Sequence, residues 1–275
     1  MPKSAASWLS LLNLLNPAPA KKAPASVIDV THGGATYRVA LKRSATAKRM
    51  TLRVRSAARD VVLTVPQRVA LRHAQEFARN HAHWIAERLA RLPERCAFAP
   101  EVRIPFRGQE HVLRHFSARP AGKGPVWLDS ATAPPAICAS GDTAHFERRI
   151  ADFLRREAKK ELERSVARHV IAIGRAPMSI SLRDTSSRWG SCSSKGALNF
   201  SWRLILAPPF VLDYLAAHET AHLRHHNHSD KFWALTQSLC PRMDEAEAWL
   251  KTQGAQLHRY GPNPRARGAS DLSDG

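Results

Sequence analysis

The stretch HETAHLRHHNHSD, residues 218–230, places five histidines (His218, His222, His225, His226 and His228) and one glutamate, Glu219, within eleven positions. His218 and His222 are four residues apart, so on a helix they share a face. Two imidazoles so placed can bind one Zn2+ at about 2.0–2.1 Å. Glu219 lies one position on, beside such a metal, where a carboxylate takes a proton from an activated water. His218-Glu219-Thr220-Ala221-His222 is thus an HExxH motif. Val211 and Leu215 fall on the same helical stripe, which turns the two imidazoles toward the protein interior.

A catalytic zinc site needs a third protein ligand and an open position. His228 follows His222 by six residues, the spacing of the HExxHxxGxxH pattern, but His225 stands at the glycine position. The sharp turn must then come another way. Asn227 tolerates a left-handed backbone, so the helix is expected to end near His226 and turn through Asn227. Ser229 suits the N-cap of the next helix. His228 is favoured as third ligand over its rivals His225 and His226, which are read as flanking residues. A nucleophilic Cys192 with a histidine base is a competing chemistry that ranks well below the metal.

Several elements must position these residues. Pro208 and Pro209 open the helix that carries the motif, where a missing N–H costs least. The segment 197–206, ALNFSWRLIL, and the segment 179–184, SISLRD, are expected strands on its N-terminal side. A long amphipathic helix is expected from about Ala144 to Ile173, with Phe146, Ile150, Phe153, Leu154, Leu162, Val166 and Val170 as its apolar stripe and Gly174 as its C-cap. Two further helices follow the histidines. Toward the N-terminus, period-two alternation at Tyr37, Val39 and Leu41, at Leu52 and Val54, and at Val61, Leu63 and Val65 predicts three strands in a meander. One helix follows over Leu71–Leu92, stopped by Pro93. Residues 98–140 mix strand and turn signals.

The chain of 275 residues carries 42 Lys and Arg against 23 Asp and Glu, a formal charge of +19. Residues 35–95 alone hold 14 Lys and Arg against four acids. Such an excess favours polyanions without naming one, which makes the N-terminal sheet a candidate nucleic-acid surface. Cys96, Cys138, Cys192 and Cys240 form no CxxC pair, so neither a zinc ribbon nor a disulfide framework is expected, and reduced thiols in the cytoplasm are the simplest reading. The apolar run from Trp8 to Leu15 is short and broken, which favours a flexible extension over a secretory signal. No run approaches the ~20 apolar residues of a membrane span.

The segment from 188 to 233, RWGSCSSKGALNFSWRLILAPPFVLDYLAAHETAHLRHHNHSDKFW, resembles the YgjP-like metal-dependent hydrolases, minimal zincin-type metallopeptidase domains related to the SprT and WLM groups. RWGSC, the next strand, the Pro-Pro helix start, HExxH, NHS and FW stand in that order. LKRSATAKRMTLRV, LTVP and HAHWI upstream are also similar, so the likeness spans about 27–255. It departs from the family at Thr220-Ala221, where the family often has Leu-Cys, and both pairs fit a helix. The resemblance implies an α+β, zincin-like fold with an N-terminal antiparallel β-meander and a helical active-site region. It also implies zinc on His218, His222 and His228, with Glu219 as catalytic base.

The expected organisation is a flexible extension (1–26), a basic β-rich region with one helix (27–140), a catalytic region (141–258) and a disordered tail (259–275). The expected function is zinc-dependent hydrolysis of a protein or peptide. Two alternatives stand beside it. One is a metal-dependent nucleotide or phosphoanhydride hydrolase, disfavoured because no carboxylates cluster for Mg2+. The other is a nucleic-acid-binding protein with DNA-associated protease activity, since the related SprT-like proteases act at DNA. Arg188 and Trp189 are expected in a turn beside the active-site helix. There Arg188 or a nearby N–H could stabilise an oxyanion, while Trp189 could equally be a core anchor.

Overall fold

A computed structural model of the chain describes residues 26–55, 59–92, 94–184 and 188–261. Most of the expected N-terminal extension, the tail from residue 262 and the Pro93 helix stop lie outside the described residues. The architecture is α+β, and the described residues fall in two compact units: those up to Arg53 with Asp60–Ala86, and those of Val54–Arg59 with those from Glu87 onward. This division differs from the expected 27–140 and 141–258, because residues 98–140 build a sheet that belongs with the second unit.

The strands β1 (Val27–His32), β2 (Ala35–Ser44), β3 (Thr51–Arg55) and β4 (Asp60–Pro66) pair in the order β1-β2-β4-β3, and all their residues except Val54 and Arg55 fall in the first unit. All three expected strands are present, and β1 is an addition. The expected meander is not the connectivity found, since β4 lies between β2 and β3 and runs parallel to β2. Composition explains the order. β4 buries Val61, Leu63 and Val65 almost completely, whereas β3 carries Arg53 and Arg55 on exposed positions, and a charged strand is best tolerated at an edge. The expected single helix is two, α1 (Leu71–Asn80) and α2 (Ala82–Ala90). They part at His81, whose backbone leaves the helical region at φ −105°, ψ 13°.

In the second unit, β5 (Arg103–Phe106), β6 (Gln109–Phe116), β7 (Val126–Asp129) and β8 (Ala136–Ser140) form a sheet of order β5-β6-β8-β7. Every residue of the central β8 is buried. α3 (Phe146–Ile173) is the expected long helix, about 42 Å at 1.5 Å per residue. Its stripe from Phe146 to Val166 is buried, and Gly174 caps it in the left-handed region at φ 62°.

A third sheet, of order β10-β11-β9, joins β9 (Ser179–Arg183), β10 (Gly190–Cys192) and β11 (Ala197–Ser201). The expected strand 197–206 ends at Ser201. Trp202–Leu206 form a 3-10 turn in which all five side chains are buried, so the alternation a half-buried strand needs is missing. The tip of the β5–β6 hairpin holds this turn, with Arg107 N–H donating to Ile205 O at 2.8 Å and Gly108 N–H to Leu206 O at 3.2 Å. That fixes the entry to α4 (Pro209–Ala221), which Pro209 opens as expected. α5 (Asp230–Leu239) and α6 (Met243–Leu257) complete the unit.

α4 is keyed to α3 by one carboxylate. Asp213 accepts from His169 Nε2 at 2.9 Å, from Arg168 at 2.9 Å and from Ser165 Oγ. Burial alone would raise this carboxyl, but donation from His169 and Ser165, with Arg168 beside it, brings it down to about 2. A depressed pKa contributes stability above the unfolded value of about 4 and loses it as pH falls toward 2. Asp213→Asn should therefore cost about 1–3 kcal/mol at neutral pH. In urea unfolding, its gap from the wild type should close between about pH 4 and pH 2. A gap that stays constant across that range would show that the ionised carboxylate does not key the helix.

Candidate metal centre

α4 presents His218 and His222 one turn apart, with ring centroids 5.0 Å from each other. The chain then returns so that His228 Nε2 lies 3.3 Å from His218 Nε2. One nitrogen from each of the three imidazoles falls within 4.8 Å of the others, and among the described residues this is the group of three or more ligand-type side chains so placed. Tetrahedral bonds of about 2.0–2.1 Å separate two nitrogens by about 3.3–3.4 Å. The donor set and the His218–His228 spacing therefore fit a zinc-sized ion. His218 and His222 are half-buried, and His228 faces solvent, which leaves the site an open side.

The return differs from the expected one. α4 ends at Ala221, short of His226, with His222 as C-cap. Tight turns follow, with Leu223 N–H donating to Thr220 O at 3.0 Å and Arg224 N–H to Ala221 O at 2.9 Å. Asn227 keeps a negative φ, so it is not the left-handed residue of the turn. Two arginines fix the bend instead. Arg224 Nε donates to Ile173 O at 3.0 Å, at the end of α3, and Arg175 donates to Leu223 O. Cations at helix ends satisfy carbonyls that have no partner within the helix. Ser229 stands at the N-cap of α5 as expected, although its side chain makes no capping bond.

His225 and His226 do not bring their rings to the cluster, but His225 contributes through its backbone. His222 Nδ1–H donates to His225 O at 3.0 Å, which turns Nε2 toward the other imidazoles. His218 Nδ1 lies 3.4 Å from Tyr214 Oη, which in turn donates to Glu247 Oε1 at 2.8 Å. Phe232, fully buried, stacks on His222 with centroids 4.4 Å apart, and Trp233 stacks on His228 at 5.4 Å. Sequence reasoning assigned no role to Tyr214, Glu247, Phe232 or Trp233. The FW pair four and five residues after His228 was the signal available for the last two.

Burial lowers the pKa of His218 to about 4, helped by the neighbouring His222 and His228, and burial likewise lowers that of His222. Neutral imidazole is the form that ligates. Tyr214 is raised by burial and by its bond to Glu247, which keeps it a donor. Glu219 is buried, and burial pushes it up to about 7 against the pull of Arg188. Its Oε2 is buried without a hydrogen-bond partner among the described residues. Burial also raises Cys192, with Glu219 adding to the effect, the opposite of what a thiolate nucleophile requires.

β10 presses directly on Glu219. A β-carbon on Gly190 would collide with Glu219 Oε1 and lie 2.7 Å from its Cγ, so the close approach requires glycine. The expected turn at Arg188-Trp189 therefore leads straight into a strand at Gly190. Trp189 stacks on His258 with centroids 4.8 Å apart, and a β-carbon on Gly254 would lie 3.3 Å from its ring, which is how an anchor packs. Gly190→Ala should lower stability by about 1–3 kcal/mol, because strand or carboxylate must shift in a packed site. A wild-type melting temperature would rule out the close approach.

The family model described as the YgjP-like metallopeptidase domain matches residues 48–253. The chain belongs to this family and carries its metallopeptidase domain. No curated protein matches the chain. Among solved structures, that of the metallopeptidase zymogen of Pyrococcus abyssi abylysin is similar at 20% identity and a TM-score of 0.31, covering 34% of this chain and 95% of that one. Among the described residues no helix is long and apolar enough to cross a membrane. The family fits a protein substrate, and the comparisons give no support to the nucleic-acid partner considered from charge.

Proposed function

We propose that this chain is a zinc-dependent peptidase in which His218, His222 and His228 hold the ion and Glu219 is the catalytic base. One observation carries the reading: three imidazole nitrogens converge beside a buried carboxylate whose second oxygen has no partner among the described residues. A zinc ion held there supplies Lewis acidity, polarising a carbonyl and acidifying water. Glu219 takes a proton from the attacking water as its oxygen bonds to the scissile carbonyl carbon. It returns that proton to the amine nitrogen as the C–N bond breaks. Tyr214 and the His225 carbonyl hold the rings of His218 and His222. β10 is the edge of its sheet beside Glu219, so an extended peptide can add to it by backbone hydrogen bonds. Phosphoanhydride hydrolysis gains no comparable support, since the ligand-type cluster among the described residues is all histidine.

Glu219→Gln should retain metal and lower peptide hydrolysis by about 10²–10⁴-fold. Full activity in that variant, measured on a mixed peptide library, would remove the base assignment. His228→Ala should lose most of its bound metal in elemental analysis of the purified protein. Unchanged stoichiometry would move the third ligand elsewhere.

A further inference from the structure

Two cavities flank the edge strand β10. One, of roughly 310 Å³, lies on the metal side and is lined by Tyr214, Leu215, His218, Glu219 and Leu250 among others. The other, of roughly 330 Å³, is lined by Arg183, Arg188, Ser191 and Asn199. They share Trp189 and Gly190. The register of the sheet explains the contrast. Ser191 pairs with Asn199 and Asn199 with Ser181, so these residues lie on one face, and Arg183, two along from Ser181, joins them. Leu198 and Phe200, alternating with Asn199, are fully buried on the other face, and Gly190 pairs with Phe200 on the side that meets Glu219.

The outer cavity has a distinctive charge balance. Its described lining holds two guanidinium groups and no carboxylate. Arg183 Nε donates to the neutral Asn199 Oδ1 at 3.2 Å. The adjacent Asp184 is engaged by the buried Arg203 and does not line the cavity. Arg188 links the two sides, since its charge reaches Glu219.

We propose that Arg183 and Arg188 form a subsite for an acidic side chain of an extended peptide substrate. The proposal rests on the peptidase reading for what the site then does, but not for the binding itself. A peptide added to the open edge of β10 sends successive side chains to opposite faces. One residue enters the metal-side cavity, and its neighbour reaches the arginines. Guanidinium groups match carboxylates in geometry as well as charge. The preferred substrate therefore carries Asp or Glu one position from the residue held beside the metal.

The test uses the full chain loaded with zinc and carrying Glu219→Gln, so that peptides bind without being cut. Peptides differ at one stepped position between Glu, Gln and Lys, and binding is read by fluorescence polarisation at low salt. The Glu peptide should bind about tenfold tighter than the Gln peptide at one register. That preference should fall below about twofold when Arg183→Gln and Arg188→Gln are added. Arg188→Glu should invert it toward the Lys peptide, a gain that misfolding does not mimic. Equal affinities for Glu and Gln at every register, or a preference untouched by the double substitution, overturns the subsite. So does a single-stranded oligonucleotide that binds tighter than any acidic peptide and is lost with the same substitutions. Digestion by the wild type separates the two readings. Cleavage without acidic preference leaves the peptidase and removes the subsite, whereas arginine-dependent binding without cleavage leaves the subsite and removes the peptidase.

Discussion

Helix α4 has to stop at its second histidine. Each further helical residue would carry the chain about 1.5 Å along the axis. Continuation to His226 would move His228 about 6 Å or more past the place where its ring meets His218. The stop is imposed from outside the helix, by Arg175 and Arg224 exchanging donors with carbonyls at the ends of α4 and α3. The aromatic pair Phe232-Trp233 then closes over the three rings. The spacing of donors and the open side follow from that one arrested helix.

The same helix treats its two carboxylates in opposite ways. Asp213 faces α3, takes three donors and is held ionised. Glu219 faces β10, is buried without a donor on Oε2 among the described residues, and has its proton affinity raised. The first anchors the helix and the second is left able to exchange a proton, as environment rather than residue type divides such roles. Gly190 belongs to this arrangement, because only a residue without a β-carbon lets the strand come so near.

Local periodicity made much of this legible. Four-residue spacing put His218 and His222 on one face, and the stripe of α3 and the alternation of β4 stood out in the same way. What escaped was set by distant partners. The end of α4 depends on bonds spanning 48 and 51 residues, and Tyr214 meets Glu247 across 33. Trp202–Leu206 do not form the expected strand, because a run buried on all sides carries no period. β4 was expected beside β3 alone, since nothing in its own residues says that β2 will take its other edge. β1 was missed although Ile28 and Val30 alternate before Gly33-Gly34, a pair that occupies positive φ in the hairpin turn.

The bond from His222 to the carbonyl of His225 has a consequence for how such a site changes over time. A side-chain partner would tie function to one residue type, but a carbonyl is offered by all twenty. Position 225 is thereby a place where geometry is constrained and chemical identity is not. Its own N–H donates to Ala221 O at 3.0 Å, so proline alone is barred on backbone grounds. Variation there is silent to the imidazole it steadies, and a search for this centre by side chains alone would pass over one of the atoms that shapes it.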